Sequence, residues 1–185
     1  MTVIQINRYT LRPMMETDAP VLAGLCNDPA IARNTARIPC PYTLEDARRF
    51  VRYIAEAGAA GDEFAFAVCA DDRIIACCGV AKDGGAWELG YWVAAAARGR
   101  GVATQAAGAV TQFAFETLGA ETVTAGYFTD NPASARVLDK LGFRATGETV
   151  ELYSLGRGCA VETRRMALNA ADFVRPEGVR IKTAK

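Results

Sequence analysis

A short glycine-rich segment that carries two arginines is the part of the sequence best suited to bind an anion. It runs from Arg98 to Ala103, reads Arg-Gly-Arg-Gly-Val-Ala, and follows an apolar run that ends at Val93 and leads into four alanines. Glycines let a backbone approach a ligand closely, and the first turn of a helix leaves several N–H groups unpaired. A strand that passes through such a turn into a helix therefore predicts a cradle for a diphosphate.

Two familiar phosphate-binding motifs are excluded by the spacing. The dinucleotide-binding fingerprint requires a third glycine at the position that Thr104 occupies. The P-loop requires a Gly-Lys-Ser/Thr ending, which this segment lacks. The diphosphate is therefore expected to belong to another kind of ligand.

A second motif lies downstream, where Asn131-Pro132-Ala133-Ser134 precedes Leu141-Gly142-Phe143. The spacing of Arg98, Gly101 and Ala103 resembles the Arg/Gln-x-x-Gly-x-Gly/Ala signature of the GNAT family of N-acetyltransferases. The downstream residues resemble that family's Asn-x-x-Ser helix, which a Leu-Gly-Phe turn closes. Two ordered motifs are far more specific than either motif alone.

The segment from Glu88 to Val93, which reads Glu-Leu-Gly-Tyr-Trp-Val, narrows the resemblance further. Together with the Asn-x-x-Ser helix it is most similar to the RimJ/RimL-like branch, which acetylates the N-termini of ribosomal proteins. The resemblance covers almost the whole chain, from the strand around Leu11 to the strand around Met166.

The resemblance implies that acetyl-CoA is the co-substrate. Arg98 would begin the diphosphate signature, and the Asn131 side chain would contact coenzyme A. The N–H groups that donate to the phosphates would belong to Gly99, Arg100, Gly101, Val102, Ala103 and Thr104. The backbone that pairs with the pantetheine arm would belong to Trp92, Val93 and Ala94.

Proton transfer must proceed without histidine, because the sequence contains none. A Ser-His-Asp triad, a Cys-His pair and an imidazole-bound zinc are therefore excluded. Direct attack of an amine on a thioester suits this inventory, because the substrate itself is the nucleophile.

The resemblance implies an acid in the Asn-x-x-Ser helix that protonates the departing thiolate. Leu138 stands where the family usually has a tyrosine, which leaves the role to Ser134 or to water. Glu88 is the favoured base, directly or through water, because it shares a strand face with Gly90 and Trp92. The competing candidates for the base are Glu63, Tyr91, Tyr127 and Glu162.

The acceptor predicted from the resemblance is the N-terminal amine of a peptide or protein, of the ribosomal-protein type. A small amine, an amino acid or an aminoglycoside is the alternative. A different class of function is a non-catalytic acyl-CoA sensor that kept the phosphate cradle and lost turnover, and Leu138 is its best support.

Composition bounds the domain count and the partners. The 185 residues, 51% of them hydrophobic, fit a single domain over 1–169, with a frayed tail over 170–185. The 21 basic and 21 acidic residues cancel, so no overall field attracts nucleic acid or an anionic membrane. With neither a signal-peptide pattern nor a membrane-spanning apolar run, we expect a cytoplasmic monomer or homodimer.

Cysteine spacing predicts no metal site and no disulfide framework, because no pair has metal-ligand spacing and cytosolic thiols stay reduced. The cysteines are expected to be small core residues. They are Cys26, Cys40, Cys69, Cys77, Cys78 and Cys159.

Periodicity predicts a mixed α/β fold. Helices are predicted to start near Asp18, Thr43, Gly101 and Asn131, and Asp28-Pro29 should end the first of them. The resemblance implies a GNAT-like, mostly antiparallel twisted sheet of about seven strands, with helices on both faces and a parallel, splayed strand pair that binds acetyl-CoA. The predicted strands lie near 9–13, 64–70, 73–81, 87–93, 122–128, 143–155 and 159–168.

Overall fold

Among residues 1–183, which the computed structural model describes, nine strands form one mixed sheet. The strands are β1 (Thr2–Ile6), β2 (Tyr9–Pro13), β3 (Glu63–Ala70), β4 (Arg73–Asp83), β5 (Ala86–Val93), β6 (Thr122–Phe128), β7 (Arg144–Ser154), β8 (Cys159–Asn169) and β9 (Val179–Thr183). They lie in the order β7-β8-β6-β5-β4-β3-β2-β1-β9. The helices are α1 (Ala19–Cys26), α2 (Pro29–Arg33), α3 (Leu44–Ala60), α4 (Val102–Glu116) and α5 (Pro132–Lys140).

The parallel, splayed strand pair predicted from the sequence is β5 and β6. All other neighbouring strands in residues 1–183 run antiparallel. β5 and β6 pair only where Trp87–Leu89 face Val123–Ala125, although the two strands continue to Val93 and Phe128. Because β4 and β8 keep their own pairing over those ends, the two strands separate and leave a gap.

A hydrophobic core lies on each face of the sheet. On one face α4 packs against the central strands, and Phe113 makes edge-to-face contacts with Phe64 and Phe66 at centroid distances of 5.4 Å. On the other face α1 and α3 cover a second core that includes Trp92. Since successive strand residues point to opposite faces, β5 presents Tyr91 to the α4 side and Trp92 to the α1–α3 side.

Side-chain caps explain two of the helix starts that matter for the site. Asn131 caps α5 by accepting the Ser134 N–H at 3.2 Å. Asp28 caps α2 by accepting the Ala30 N–H at 2.8 Å, and Pro29 fills the first turn. The Asp28-Pro29 pair follows the end of α1 as predicted, and it also begins a helix that the sequence reading missed.

The predicted frayed tail is wrong for the residues that the structure describes. Val179–Thr183 form β9, which pairs with the whole of β1, while 184–185 lie outside the described residues. Ahead of β9 the chain is tied to α4: the Phe173 and Phe115 ring centroids are 5.1 Å apart, and Arg175 forms a 2.7 Å ion pair with Glu116. β1 and β9 raise the strand number from seven to nine. Both are short and partly exposed, so they carry little periodic signal.

The cysteines follow the predicted core placement in part, and the cysteine residues at all six positions are free thiols in the structure. Four of them are buried as predicted: Cys26, Cys69, Cys77 and Cys78. Cys40 and Cys159 are exposed, so the core assignment is wrong for these two. Burial raises the pKa of Cys26 to about 12, which keeps that thiol neutral and unreactive.

Candidate active site

A cleft of about 420 Å³ opens beside the C-terminal end of β5, between α2, the start of α4 and the start of α5. These elements bring together most of the residues that the sequence singled out. The predicted residues that line the cleft are Trp92, Val93, Arg98, Gly99, Gly101, Val102, Ala103, Thr104, Asn131 and Ser134. Glu88, Ala94 and Arg100 are outside that lining.

The turn before α4 presents an unbroken row of backbone donors. Within residues 1–183 the six N–H groups from Gly99 to Thr104 have no protein acceptor, and the first intrahelical bond is from Gln105 N to Gly101 O at 3.1 Å. Gly99 and Gly101 both have φ of 74°, a backbone conformation that favours glycine. Free donors at the positive end of a 15-residue helix form an anion-binding site.

The two arginines of this turn have different surroundings. Arg98 forms a 2.5 Å ion pair with Asp28 and donates from Nε to the Val93 carbonyl at 3.1 Å. Its guanidinium therefore ties the turn to the cap of α2 and to the end of β5. Arg100 is exposed and has no ion-pair partner in the described chain, so its charge is available to a ligand.

Ala94 is the exception among the residues expected to pair with pantetheine. Its N–H donates to the Ile75 carbonyl at 2.9 Å, and its carbonyl accepts the Ala97 N–H at 2.9 Å. Both backbone groups are thus used inside the protein, and the structure does not bring Ala94 to the cleft. Tyr91, Trp92 and Val93 do line it, at the end of β5 that has lost its β6 partner.

Ser134 lies in the first turn of α5 with its hydroxyl on the cleft wall. Tyr91 Oη is 2.8 Å from Ser134 Oγ, and burial raises the pKa of Tyr91 to about 12. The neighbouring Asn131 uses its amide oxygen to cap the helix, and its amide nitrogen has no acceptor in the residues described. Leu138, at the usual tyrosine position, is 1% exposed and belongs to the core.

Glu88 lies on the other face of β5 from Tyr91, on the side covered by α1 and α3. Its carboxylate is hydrogen-bonded to Arg165 of β8, whose guanidinium also contacts Asp83 at 2.9 Å. Next to Glu88, Gly90 is exposed and faces open space, since a Cβ built there meets nothing within 4 Å. Glu88 therefore lies next to the open surface at Gly90, close to the point where β5 and β6 separate. Its carboxylate is paired with the Arg165 guanidinium and is not free.

Glu63, a competing candidate for the base, is buried at the start of β3. Its carboxylate forms an ion pair with Arg37 and accepts a 2.8 Å hydrogen bond from Tyr53 Oη. That bond is the main cause of a raised pKa for Tyr53. Two donors occupy Glu63, which makes it a link between α3 and the loop after α2 rather than a ready proton acceptor.

The sequence reading missed the α2 wall of the cleft and the partner of Glu88. Residues Ala30, Ile31, Asn34 and Thr35 line the cleft from α2 and the loop after it. Asp28-Pro29-Ala30 carries the Asp-Pro signature of a capped helix and could have revealed this wall. Arg165 had no such signal, because it reaches Glu88 only through the pairing of β6 with β8.

No helix in residues 1–183 has both the length and the apolar content needed to cross a membrane. In the same residues, no cluster of three or more His, Cys, Asp or Glu side chains is arranged to hold a metal ion.

Known proteins share this sequence pattern and this fold. Residues 8–144 match the family model described as "Acetyltransferase (GNAT) domain". The chain is 26% identical over 179 residues to the Bacillus licheniformis protein named "Uncharacterized N-acetyltransferase p20", which covers 94% of this chain and 99% of that protein.

Two solved structures show the same fold at low sequence identity. One is Mycobacterium smegmatis RimJ in complex with CoA-disulfide, with a TM-score of 0.80 and 19% identity over 92% of this chain and 88% of that chain. The other is the ribosomal-protein-S5-alanine acetyltransferase from Vibrio fischeri, with a TM-score of 0.79 and 20% identity over 93% of this chain and 98% of that chain.

Proposed function

Because the chain belongs to the GNAT family of acetyltransferases and is an acyltransferase, we propose that it transfers acetyl from acetyl-CoA directly to the N-terminal amine of a peptide or protein. The observation that carries the proposal is the row of six N–H groups from Gly99 to Thr104, which have no acceptor within residues 1–183 and lie at the edge of the cleft beside the separated strands. A nucleotide diphosphate is the group that such a row fits best.

The remaining walls suit the rest of coenzyme A. The end of β5 from Tyr91 to Val93 has no β6 partner, so its free edge can pair with the amide groups of pantetheine. Among the described residues, the Asn131 amide nitrogen at the start of α5 has no acceptor and the Arg100 guanidinium has no ion-pair partner, so both can contact the cofactor near its phosphates. This arrangement would direct the thioester toward Ser134.

Direct transfer of the acetyl group requires a proton donor near the departing sulfur and a path for the proton that the amine loses. A neutral amine attacks the thioester carbonyl, a C–N bond forms, the C–S bond breaks, and the thiolate leaves. Ser134 donates a proton to the departing sulfur, and the proton that the amine loses passes through water or a carboxylate and restores Ser134. The overall reaction converts amine and acetyl thioester into amide and thiol, without a net change in protons.

Glu88 is the proposed base, acting through water, with Arg165 holding its carboxylate at the gap. A strong base is unnecessary for an N-terminal amine, because an amine with a pKa of about 8 is roughly 10% neutral at pH 7. A lysine with a pKa of about 10.4 is neutral only in about 0.04% of molecules. A carboxylate already paired with arginine therefore suits an α-amine acceptor better than lysine.

The proposed acceptor rests on two kinds of support. Vibrio fischeri ribosomal-protein-S5-alanine acetyltransferase and Mycobacterium smegmatis RimJ share the fold. The exposed floor at Gly90 gives a polypeptide end an open approach to the gap from the α1–α3 side. A small amine, an amino acid or an aminoglycoside is the alternative acceptor.

The first test measures thiol release from acetyl-CoA with short peptides that differ in their first residue, alongside free amino acids, polyamines and aminoglycosides. Release with a class of peptides, and its loss when the same peptides carry a blocked N-terminus, is the expected result. Release with only a small amine would redirect the acceptor. Saturable acetyl-CoA binding without any release would favour a non-catalytic sensor, for which the buried Leu138 is the specific support.

A further inference from the structure

The hydroxyl of Ser134 has a partner that arrives from a different element. Tyr91 Oη lies 2.8 Å from Ser134 Oγ and 3.4 Å from the Ser134 carbonyl oxygen. Tyr91 belongs to β5 and Ser134 to α5, and both residues line the cleft. The hydroxyl pair therefore joins two walls of the cofactor cleft.

The phenol can donate to both oxygens of Ser134. A carbonyl oxygen can only accept, so the Tyr91 phenol is the donor in the 3.4 Å contact with the Ser134 backbone, whereas in the 2.8 Å contact either hydroxyl can donate. In the arrangement in which the phenol donates to Ser134 Oγ, the Ser134 proton is available to a ligand in the cleft. Because burial raises the pKa of Tyr91 to about 12, the phenol keeps its proton throughout the physiological pH range.

Leu138 shows why such a partner is needed. Its side chain is in the core, so α5 presents no phenol of its own to the cleft. Serine alone is a weak proton donor, and a hydrogen bond received by its oxygen stabilises the negative charge that grows there as the proton leaves. Tyr91 supplies that hydrogen bond from the neighbouring strand.

We propose that Tyr91 is a positioning residue for Ser134: the phenol donates to Ser134 Oγ, and this directs the Ser134 proton toward the sulfur that departs from acetyl-CoA. The proposal rests on the proposed function. As the C–S bond breaks, the Ser134 proton forms the S–H bond, and the Tyr91 hydrogen bond stabilises the serine oxygen. The proton released by the amine then returns to Ser134 through water, so protons balance over one turnover.

The test is a double-mutant cycle with Tyr91→Phe, Ser134→Ala and the double variant. Tyr153→Phe is the matched control, because Tyr153 is exposed on β7 and has no hydrogen bond from its hydroxyl in the described residues. kcat and KM are measured by thiol release with the peptide that reacts fastest. The dissociation constant of acetyl-CoA is measured by calorimetry, and the melting temperature of each variant checks its fold.

We expect Ser134→Ala to lower kcat about 100-fold and Tyr91→Phe to lower it about 10-fold. Acetyl-CoA affinity should change by less than about twofold in either variant, since neither hydroxyl is in the phosphate cradle. In the Ser134→Ala background Tyr91→Phe should lower kcat by less than about twofold further, because its effect passes through Ser134. Tyr153→Phe should match the wild-type protein.

Two outcomes overturn the proposal. One is a kcat for Tyr91→Phe equal to that of the wild-type protein. The other is a Tyr91→Phe substitution that lowers kcat by the same factor in the wild-type and Ser134→Ala backgrounds, which means that Tyr91 acts independently of Ser134 or only structurally. A second measurement requires no variant of Tyr91: the solvent deuterium isotope effect on the wild-type kcat should exceed that of Ser134→Ala. Equal isotope effects would also overturn the proposal.

The cycle separates this inference from the proposed function. If the wild-type protein acetylates only a small amine, the acceptor assignment fails, and the same variants are compared with that amine. If the wild-type protein binds acetyl-CoA but none of the tested amines causes thiol release, both proposals fail. If thiol release is normal and the cycle is additive, only the role of Tyr91 fails.

Discussion

At the scale of single residues, the cleft is defined by the groups that the protein leaves without partners. The N–H groups from Gly99 to Thr104 have no acceptor in the part of the chain that the structure describes, while the side chain of Arg98 holds the turn. This turn could be located from the sequence, because glycines and arginines between a strand and a helix are typical of an anion-binding site. The sequence did not reveal that the Arg98 side chain, which lines the cleft, is paired with Asp28, or that the Ala94 N–H is bonded to Ile75. Both contacts join residues that are distant in the chain and follow from tertiary packing.

Gly101→Asp should weaken acetyl-CoA binding by at least about 10-fold, because it places a carboxylate among donors that face the phosphates. The variant also puts a side chain at a φ of 74°. Gly119→Asp is the matched control, since Gly119 has a φ of 70°, is exposed, and lies beyond the other end of α4. Calorimetry with acetyl-CoA measures both. Equal affinity for the two variants would contradict the phosphate assignment.

Glu88→Gln should lower kcat/KM for a peptide about 10-fold at pH 7 and less at pH 9, where the α-amine is already mostly neutral. Asp83→Asn is the control, because Asp83 is the other carboxylate bound to Arg165 and is not placed at the gap. The measurement is a pH profile of thiol release for the three proteins. A loss of the same size at both pH values would remove Glu88 from the role of base.

At the scale of elements, the cleft depends on contacts between parts of the chain that are far apart in sequence. Asp130, just before α5, accepts from Arg33 at the end of α2 and from Arg157 at the tip of the β7–β8 hairpin. Arg157 Nε also donates to the Arg33 carbonyl at 2.7 Å. Strand and helix positions followed from periodicity and caps. This three-way link did not, because nothing in the local sequence pairs these residues.

Asp130→Asn should destabilise the protein at neutral pH and do so less at high salt. Arg157 first, and then Arg33, lower the pKa of Asp130 to about 2, below its unfolded value of about 3.9. The link therefore stabilises the fold above about pH 4 and loses its effect as the pH falls toward about 2. Melting temperatures of the wild-type protein and the variant should differ at pH 7, approach each other below about pH 4 and converge near about pH 2.

Asp62→Asn is the control for that comparison, because Asp62 pairs with a single exposed lysine, Lys82, and bridges no cleft element. A surface pair of this kind contributes little, so its loss should leave the melting temperature nearly unchanged. A difference for Asp130→Asn that persisted unchanged at low pH would show that the ion pairs are not its cause.

At the scale of the whole molecule, the cleft beside β5 and the C-terminal strand β9 belong to the same sheet but lie several strands apart. β9 is at one end of the sheet, with β1, β2, β3 and β4 between it and β5. The α/β class, the parallel pair and the two covered faces were predictable, because periodicity and the strand-helix-strand order specify them. The two added strands, β1 and the edge strand β9, were not predictable, since both are short and they pair with each other from opposite ends of the chain.

Deletion of residues 178–185 should lower the melting temperature by about 3 °C or more, which corresponds to a loss of about 1 kcal/mol. The deletion exposes the outer edge of β1 and removes the partly buried Val179 and Ile181. Acetyl-CoA affinity should stay within about twofold of the wild-type value, because the cleft is four strands away. The substitution Lys182→Ala, on an exposed position of β9, is the control. An unchanged melting temperature after the deletion would contradict the role of β9.

The most direct test of the central claim uses one peptide with a free N-terminal amine and one internal lysine, incubated with the protein and acetyl-CoA. Tandem mass spectrometry then locates the acetyl group. We expect a single acetyl group on the N-terminal nitrogen and no acetylation when that nitrogen is blocked. Acetylation of the lysine, or recovery of unmodified peptide with bound and intact acetyl-CoA, would contradict it.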